Sequence, residues 1–114
     1  MKLLVRILIT SALVLLISRF MKGVHVDNFV TALIVAVVLG LLNIFIKPIL
    51  VILTLPVTVL TLGLFLLAIN ALIILLCDVI VGGFNVDTFW TALLFSVILS
   101  ISQSIMYKIL GHEN

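Results

Sequence analysis

Long uncharged apolar runs dominate the chain and are interrupted by single charges, short polar loops and two prolines. A membrane-crossing helix needs about 20 mostly apolar residues. Runs of that kind lie at about Leu3 to Met21, Phe29 to Ile46, Leu62 to Val81 and Phe89 to Leu110, leaving short connections and no stretch for a soluble domain. The pattern predicts an all-α membrane protein with four transmembrane helices, arranged as two tandem helical hairpins joined by a proline-bent apolar connector. One integral membrane domain over 1–114 is expected, with a first repeat at about 1–46, a connector at 47–61 and a second repeat at about 62–110.

The first run is the shortest between charges. Arg6 and Arg19 enclose only Ile7 to Ser18, and twelve residues make about 18 Å of helix against a hydrocarbon core of about 30 Å. Both arginines must then reach outward for the headgroups. The rival reading is a cleaved signal peptide with Lys2 and Arg6 as its basic start. No small-x-small cleavage site follows, and Arg19 and Lys22 flank the far end, so a retained helix is expected.

Between Lys47 and Leu62 the chain is apolar but too short to cross alone. Pro48 and Pro56 each remove an amide proton and crowd the preceding turn. A bent hairpin, a re-entrant turn or an interfacial helix is expected there, with Thr54 capping the restart and Pro56 in its first turn. If this connector does not cross, both chain ends share one side, holding Lys2, Arg6, Lys47 and Lys108 against Arg19 and Lys22 opposite. The positive-inside rule then places the termini in the cytoplasm.

Shifting the sequence by 60 positions lays residues 24–43 on residues 84–103. Eight of those twenty positions are identical, within a shared V-D-x-F-x-T-A-L motif. Gly23 falls on Gly83, and the shift extends into the first and third spans. Two hairpins of one orientation imply a pseudo-twofold axis along the membrane normal. Asp27 and Asp87 precede the second hairpin helices, where capping is the sufficient explanation for each.

One face of the second span reads Ala32, Ala36, Gly40, Asn43, Lys47; its counterpart in the fourth reads Ala92, Ser96, Ser100, Gln103, Tyr107. Small residues permit close helix approach and amides hydrogen-bond across helices, so these faces are expected to meet each other or copies in a neighbouring subunit. The bland alternative is packing within one bundle; the sharper one is a self-association face or pore lining. Lys47 reaches the headgroups if its helix stops there and lies deeper if the helix continues toward Thr54. Asp78 needs a partner inside the membrane, and Arg19 is at the corresponding level of the first helix. Asn70 is expected to hydrogen-bond between helices, and Trp90 and Tyr107 to anchor opposite ends of the fourth span.

Composition agrees with lipid as the solvent: 66% of the residues are apolar, and only six Lys/Arg and four Asp/Glu carry charge. A soluble domain of 12.5 kDa could not hide that much apolar surface. The net charge of +2 is scattered singly, so nucleic-acid binding is not expected. The lone Cys77 excludes an intramolecular disulfide and reads as a small apolar residue. His25 in a loop and His112 in the tail have no second ligand at a useful spacing. No phosphate loop or catalytic set is present in the sequence. No enzyme, metal, cofactor or identifiable small-molecule substrate is expected.

A further pattern runs through Gly40-Leu41-Leu42-Asn43, Lys47-Pro48-Ile49-Leu50, Thr54-Leu55-Pro56, Thr61-Leu62-Gly63-Leu64, Asn70-Ala71, Gly83-Phe84 and Phe89-Trp90. In these motifs the chain resembles superfamily IV of the phage holins, the mycobacterial-type four-transmembrane family, which also takes in many bacterial chromosomal membrane proteins. The resemblance implies a multi-pass protein of the bacterial inner membrane. As a holin it would form a homo-oligomer that opens a lesion for murein hydrolase. The alternative is a non-lytic envelope protein: a scaffold, a lipid-associated module or a small transporter component.

Overall fold

The computed structural model describes residues 2–111. In chain order it contains α1 (Lys2–Phe20), β1 (Val24–Val26), α2 (Phe29–Phe45), α3 (Lys47–Leu53), α4 (Leu55–Leu60), α5 (Phe65–Ile80), β2 (Phe84–Val86) and α6 (Phe89–Gly111). Helix α1 packs along α2, α5 along α6, and α1 also meets α6. Three helical stretches are long and apolar enough to cross a membrane: Lys2–Phe20, Phe29–Leu53 and Phe89–Leu110; Phe65–Ile80 is shorter, at 16 residues.

The two interhelical loops form a small antiparallel ribbon. Val24 pairs with Val86, His25 with Asn85 and Val26 with Phe84. This register is its own image under the sixty-residue shift, because His25 faces the residue that the shift assigns to it. The Asp27 amide donates to the Gly83 carbonyl at 3.0 Å, and the Asp87 amide to the Gly23 carbonyl at 2.8 Å. Gly23 and Gly83 turn the chain into the ribbon at φ 90° and 89°, a left-handed conformation that is costly for any residue with a Cβ. A Cβ on Gly83 would stand 2.6 Å from Asp27 Oδ2; one on Gly23 would stand 3.0 Å from Thr91 Cγ2.

Asp27 and Asp87 are therefore not the helix caps. They stand one residue too early, and the neighbours they precede take that place. Asn28 Oδ1 accepts the Thr31 amide at 2.9 Å to start α2, and Thr88 Oγ1 accepts the Thr91 amide at 3.1 Å to start α6.

The connector is more helical than its prolines suggest. After a one-residue break at Ile46 the chain continues as α3, with Pro48 in the first turn, where a missing amide costs least. Thr54 occupies the α3–α4 junction but does not cap α4. Because the helical path is nearly unbroken, its hydroxyl lies over the preceding turn and donates to the Leu50 carbonyl at 2.7 Å. The N-cap position of α5 is Leu64, which makes no side-chain cap bond; the Phe65 amide donates instead to Thr61 Oγ1, four residues back, at 3.1 Å.

The turn before α5 explains why that helix starts at Phe65 and not at Leu62. Gly63 donates its amide to the Thr58 carbonyl at 2.8 Å and Leu62 to the Val59 carbonyl at 3.1 Å. This pair of bonds is the Schellman closure of a helix, which requires a left-handed residue at the Leu62 position. Leu62 adopts it at φ 56°, and Gly63 follows at φ 88°.

The core lies on the inner faces of the bundle and under the ribbon, with Val14, Val35, Ile69, Ile73, Cys77, Phe84 and Phe95 almost wholly buried. The Phe84 and Phe95 rings meet at 6.0 Å between centroids, tilted by 54°. The Cys77 thiol points at the Val35 carbonyl, 3.8 Å away. Large apolar side chains such as Phe20, Leu53, Leu60, Leu62 and Val79 stand exposed on the outside. With every helix ladder satisfied internally and leucine and isoleucine outward, the surface matches hydrocarbon and not water.

Candidate functional site: a cavity opposite the ribbon

A cavity of about 330 Å³ opens at the end of the bundle away from the ribbon. From α2 it is lined by Ala36, Gly40 and Asn43, continuing into Lys47 at the start of α3. From α6 come Ser96, Ser100, Gln103 and Tyr107, the positions sixty residues further on. The two small and polar faces thus turn toward one space inside a single chain. Ala32 and Ala92, the first members of each face, are fully buried in the core nearer the ribbon.

The faces do not interlock. A Cβ on Gly40 would meet nothing within 4 Å, so this glycine opens space and does not permit a tight helix contact. The Ser96 hydroxyl turns back to its own helix, donating to the Leu93 carbonyl at 2.8 Å.

Side chains of α1 and α5 complete the lining. Asn70 of α5, which the sixty-residue shift lays on Thr10 of α1, lines the same cavity; the interhelical hydrogen bond expected of its side chain is not formed among the described residues. Thr10 anchors a polar network between α1 and α6. Gln103 Nε2 donates to Thr10 Oγ1 at 2.8 Å, and the Thr10 and Tyr107 hydroxyls are 2.8 Å apart. Tyr107 also presents its ring to Arg6, whose guanidinium carbon stands 4.7 Å from the ring centroid. Such a cation–π contact orients the arginine without neutralising it.

Arg6 and Thr10 escape a reading of the second and fourth spans alone. The sixty-residue shift contained the signal for Thr10, since it lays Thr10 on Asn70. Arg6 has no such signal, because its counterpart is the apolar Leu66.

The remaining polar residues lie elsewhere. Asp78 accepts the Val86 amide on Oδ2 at 2.9 Å, fastening α5 to the ribbon. The expected Arg19–Asp78 pair does not form; among the described residues the ion contact is His25 Nε2 to Asp27 Oδ1 at 2.6 Å, on the exposed face of the ribbon. A backbone amide close by in sequence satisfies the carboxylate with less chain ordering than a long arginine would need. Trp90 is exposed at the ribbon end, edge-on to Phe89 at 5.6 Å. Tyr107 at the other end points into the network. Among the described residues no three metal-ligating side chains converge. His112 lies outside the described residues.

Apolar helices with a lipid-compatible exterior define a multi-pass membrane protein. The chain belongs to the family described as mycobacterial 4 TMS phage holin, superfamily IV, which it matches over residues 1–105. It is a bacterial membrane protein. It is 41% identical over 105 residues to the "Uncharacterized membrane protein YvlD" of Bacillus subtilis (strain 168), covering 91% of this chain and 88% of that relative. It is 49% identical over 79 residues to the "Uncharacterized protein SCO3922" of Streptomyces coelicolor, covering 66% of this chain and 63% of that protein. No solved structure matches it.

Proposed function

We propose that the protein is a resident component of the bacterial inner membrane that works as one sealed bundle around its cavity: a lipid-associated or solute-handling envelope module. One observation carries this reading: the small and polar faces of α2 and α6 line a cavity within one chain, and their polar side chains have no need of a neighbouring subunit to escape lipid. In this reading the halves are tandem hairpins related by a pseudo-twofold axis through the His25–Asn85 pair. The ribbon faces outward, and the cavity and both chain ends face the cytoplasm with Lys2, Arg6, Lys47 and Lys108.

The family supports a second reading, in which copies assemble into a holin-like hole. Here the bundles would have to open so that the cavity linings of several chains face a shared lumen.

Inducible expression in a bacterium, with membrane potential and dye leakage followed, separates the two. The sealed bundle leaves both intact at high membrane level. Leakage by wild type, abolished in Gly40→Leu and Ser100→Leu, would establish the hole. Orientation is tested separately by labelling His25→Cys and Asn85→Cys from each compartment; both are expected to react from outside only.

A further inference from the structure

Carboxylates are segregated along the bundle, whereas cations stand at both ends, with Arg19 and Lys22 at the ribbon end. The carboxylates among the described residues, Asp27, Asp78 and Asp87, all belong to the ribbon end, where Asp78 is tied to the Val86 amide and Asp27 to His25. The cavity end holds cations. Arg6 and Lys47 both line the cavity, on α1 and at the start of α3, and among the described residues its wall contains no carboxylate. Around them stand hydrogen-bond donors, the amides of Asn43 and Asn70 and the hydroxyl of Ser100, while the Gln103 amide is engaged with Thr10 and Tyr107.

Arg6 is exposed and Lys47 half-buried, so both border the recess where it meets the surroundings, and an anion entering there is attracted to two cations at once. Tyr107 holds the guanidinium at 4.7 Å from its ring, which leaves the N–H donors at the guanidinium edge for a ligand. The cavity volume of about 330 Å³ falls at the lower end of small-molecule sites, about 300–1,000 Å³, which suits a headgroup and not a whole lipid.

We propose that this cavity binds a net-anionic phosphate group, with Arg6 and Lys47 as its charged ligands and Asn43 and Asn70 as neutral donors. The proposal rests on the cavity reading above and gives its ligand a chemical class. The phosphate can come from an anionic phospholipid of the cytoplasmic leaflet, entering headgroup first, or from solution.

The test uses the full chain in non-ionic detergent and native mass spectrometry. Phosphatidylglycerol and phosphatidylcholine are added in turn, with and without inorganic phosphate. Wild type is expected to retain one phosphatidylglycerol in preference to phosphatidylcholine. The double variant Arg6→Gln/Lys47→Gln should bind it about tenfold or more weakly, since two charge-assisted contacts are lost. Lys2→Gln/Lys108→Gln removes the same charge from the same end outside the cavity and should cost less than about twofold. Lys47→Arg, with helicity checked by circular dichroism, should retain binding, which guards against mistaking misfolding for loss of a ligand.

Competition by inorganic phosphate would identify a site open to free anions; its absence would assign the site to lipid. Equal weakening in the two double variants, or no ligand retained at one per chain, would overturn the proposal. Those results leave the sealed-bundle reading standing, and leakage by wild type would remove that reading without bearing on this binding measurement.

Discussion

At one end of the bundle, His25 and Asn85 are sixty residues apart in sequence and face each other across a ribbon. At the other, Lys47 and Tyr107 are also sixty apart and share a cavity, with nothing chemical in common. The ribbon end has kept Gly23 and Gly83, Val26 and Val86, and Asp27 and Asp87 identical. At the cavity end Thr10 and Asn70, Gly40 and Ser100, and Asn43 and Gln103 differ, while Leu39 and Leu99, also in the wall, are identical. Backbone pairing explains the first: each strand donates and accepts at fixed positions, and each hairpin must enter through a left-handed glycine. The recess asks only that its polar lining avoid hydrocarbon, which many side chains satisfy. Identity across the sixty-residue shift thus falls where backbone geometry dictates the residue, and polarity alone is shared where a side chain need only avoid hydrocarbon.

The most disruptive test of this contrast replaces Phe95, buried between α6 and the ribbon, with alanine. Phe84 would lose its ring partner, and a loss of about 3–5 kcal/mol is expected, read from chemical denaturation in detergent. An effect under about 1 kcal/mol would mean that the ribbon end is not the packed end.

Next in size is the glycine pair. Gly83→Ala should cost about 2–4 kcal/mol, combining the left-handed penalty with the clash against Asp27. Gly23→Ala, meeting only Thr91 Cγ2 at 3.0 Å, should cost about 1–2 kcal/mol. Thermal unfolding of the two variants in one detergent checks the order, and equal losses would show that the two turns are equivalent in packing as well as in backbone.

The caps come third. Asn28→Ala and Thr88→Ala should each lose about 1 kcal/mol, whereas Asp27→Asn and Asp87→Asn should leave helix content unchanged by circular dichroism. Loss of helix on the aspartate substitutions would return the capping role to them.

Smallest, and opposite in sign, is Leu62→Gly. It relieves a left-handed leucine that is 93% exposed and should stabilise by about 0.5–1 kcal/mol. At the cavity end, Gly40→Ala should be nearly silent, because its Cβ meets no neighbour. A marked loss there would mean that the two faces pack more tightly than the open recess allows.

Much of this was legible in the chain. Apolar runs between single charges locate the helices, because a bilayer leaves a backbone few alternatives. The repeated V-D-x-F-x-T-A-L motif and the paired small and polar faces point to the residues that line the cavity from α2 and α6. Less legible were features decided by a shift of one residue or one helical turn. Asn28 and Thr88, not Asp27 and Asp87, cap the helices. Thr61, not Thr54, receives the amide that restarts the chain. Asp78 finds a backbone amide in the ribbon and not Arg19. Each of these groups had more than one partner within reach of its side chain, and residue type alone does not rank them.

The sequence by itself determined that this chain lives in lipid and that its polar residues fall on matched helical faces, since composition and spacing are properties of the chain alone. Whether those faces close on each other, point to a neighbour or leave a space between them was decided by the tertiary structure. Cavity shape depends on how α1 and α5 stand between α2 and α6, and Arg6 in its lining meets Tyr107, 101 residues away from it in the chain. Contacts at that separation are fixed by the packing of whole helices, which no local pattern encodes.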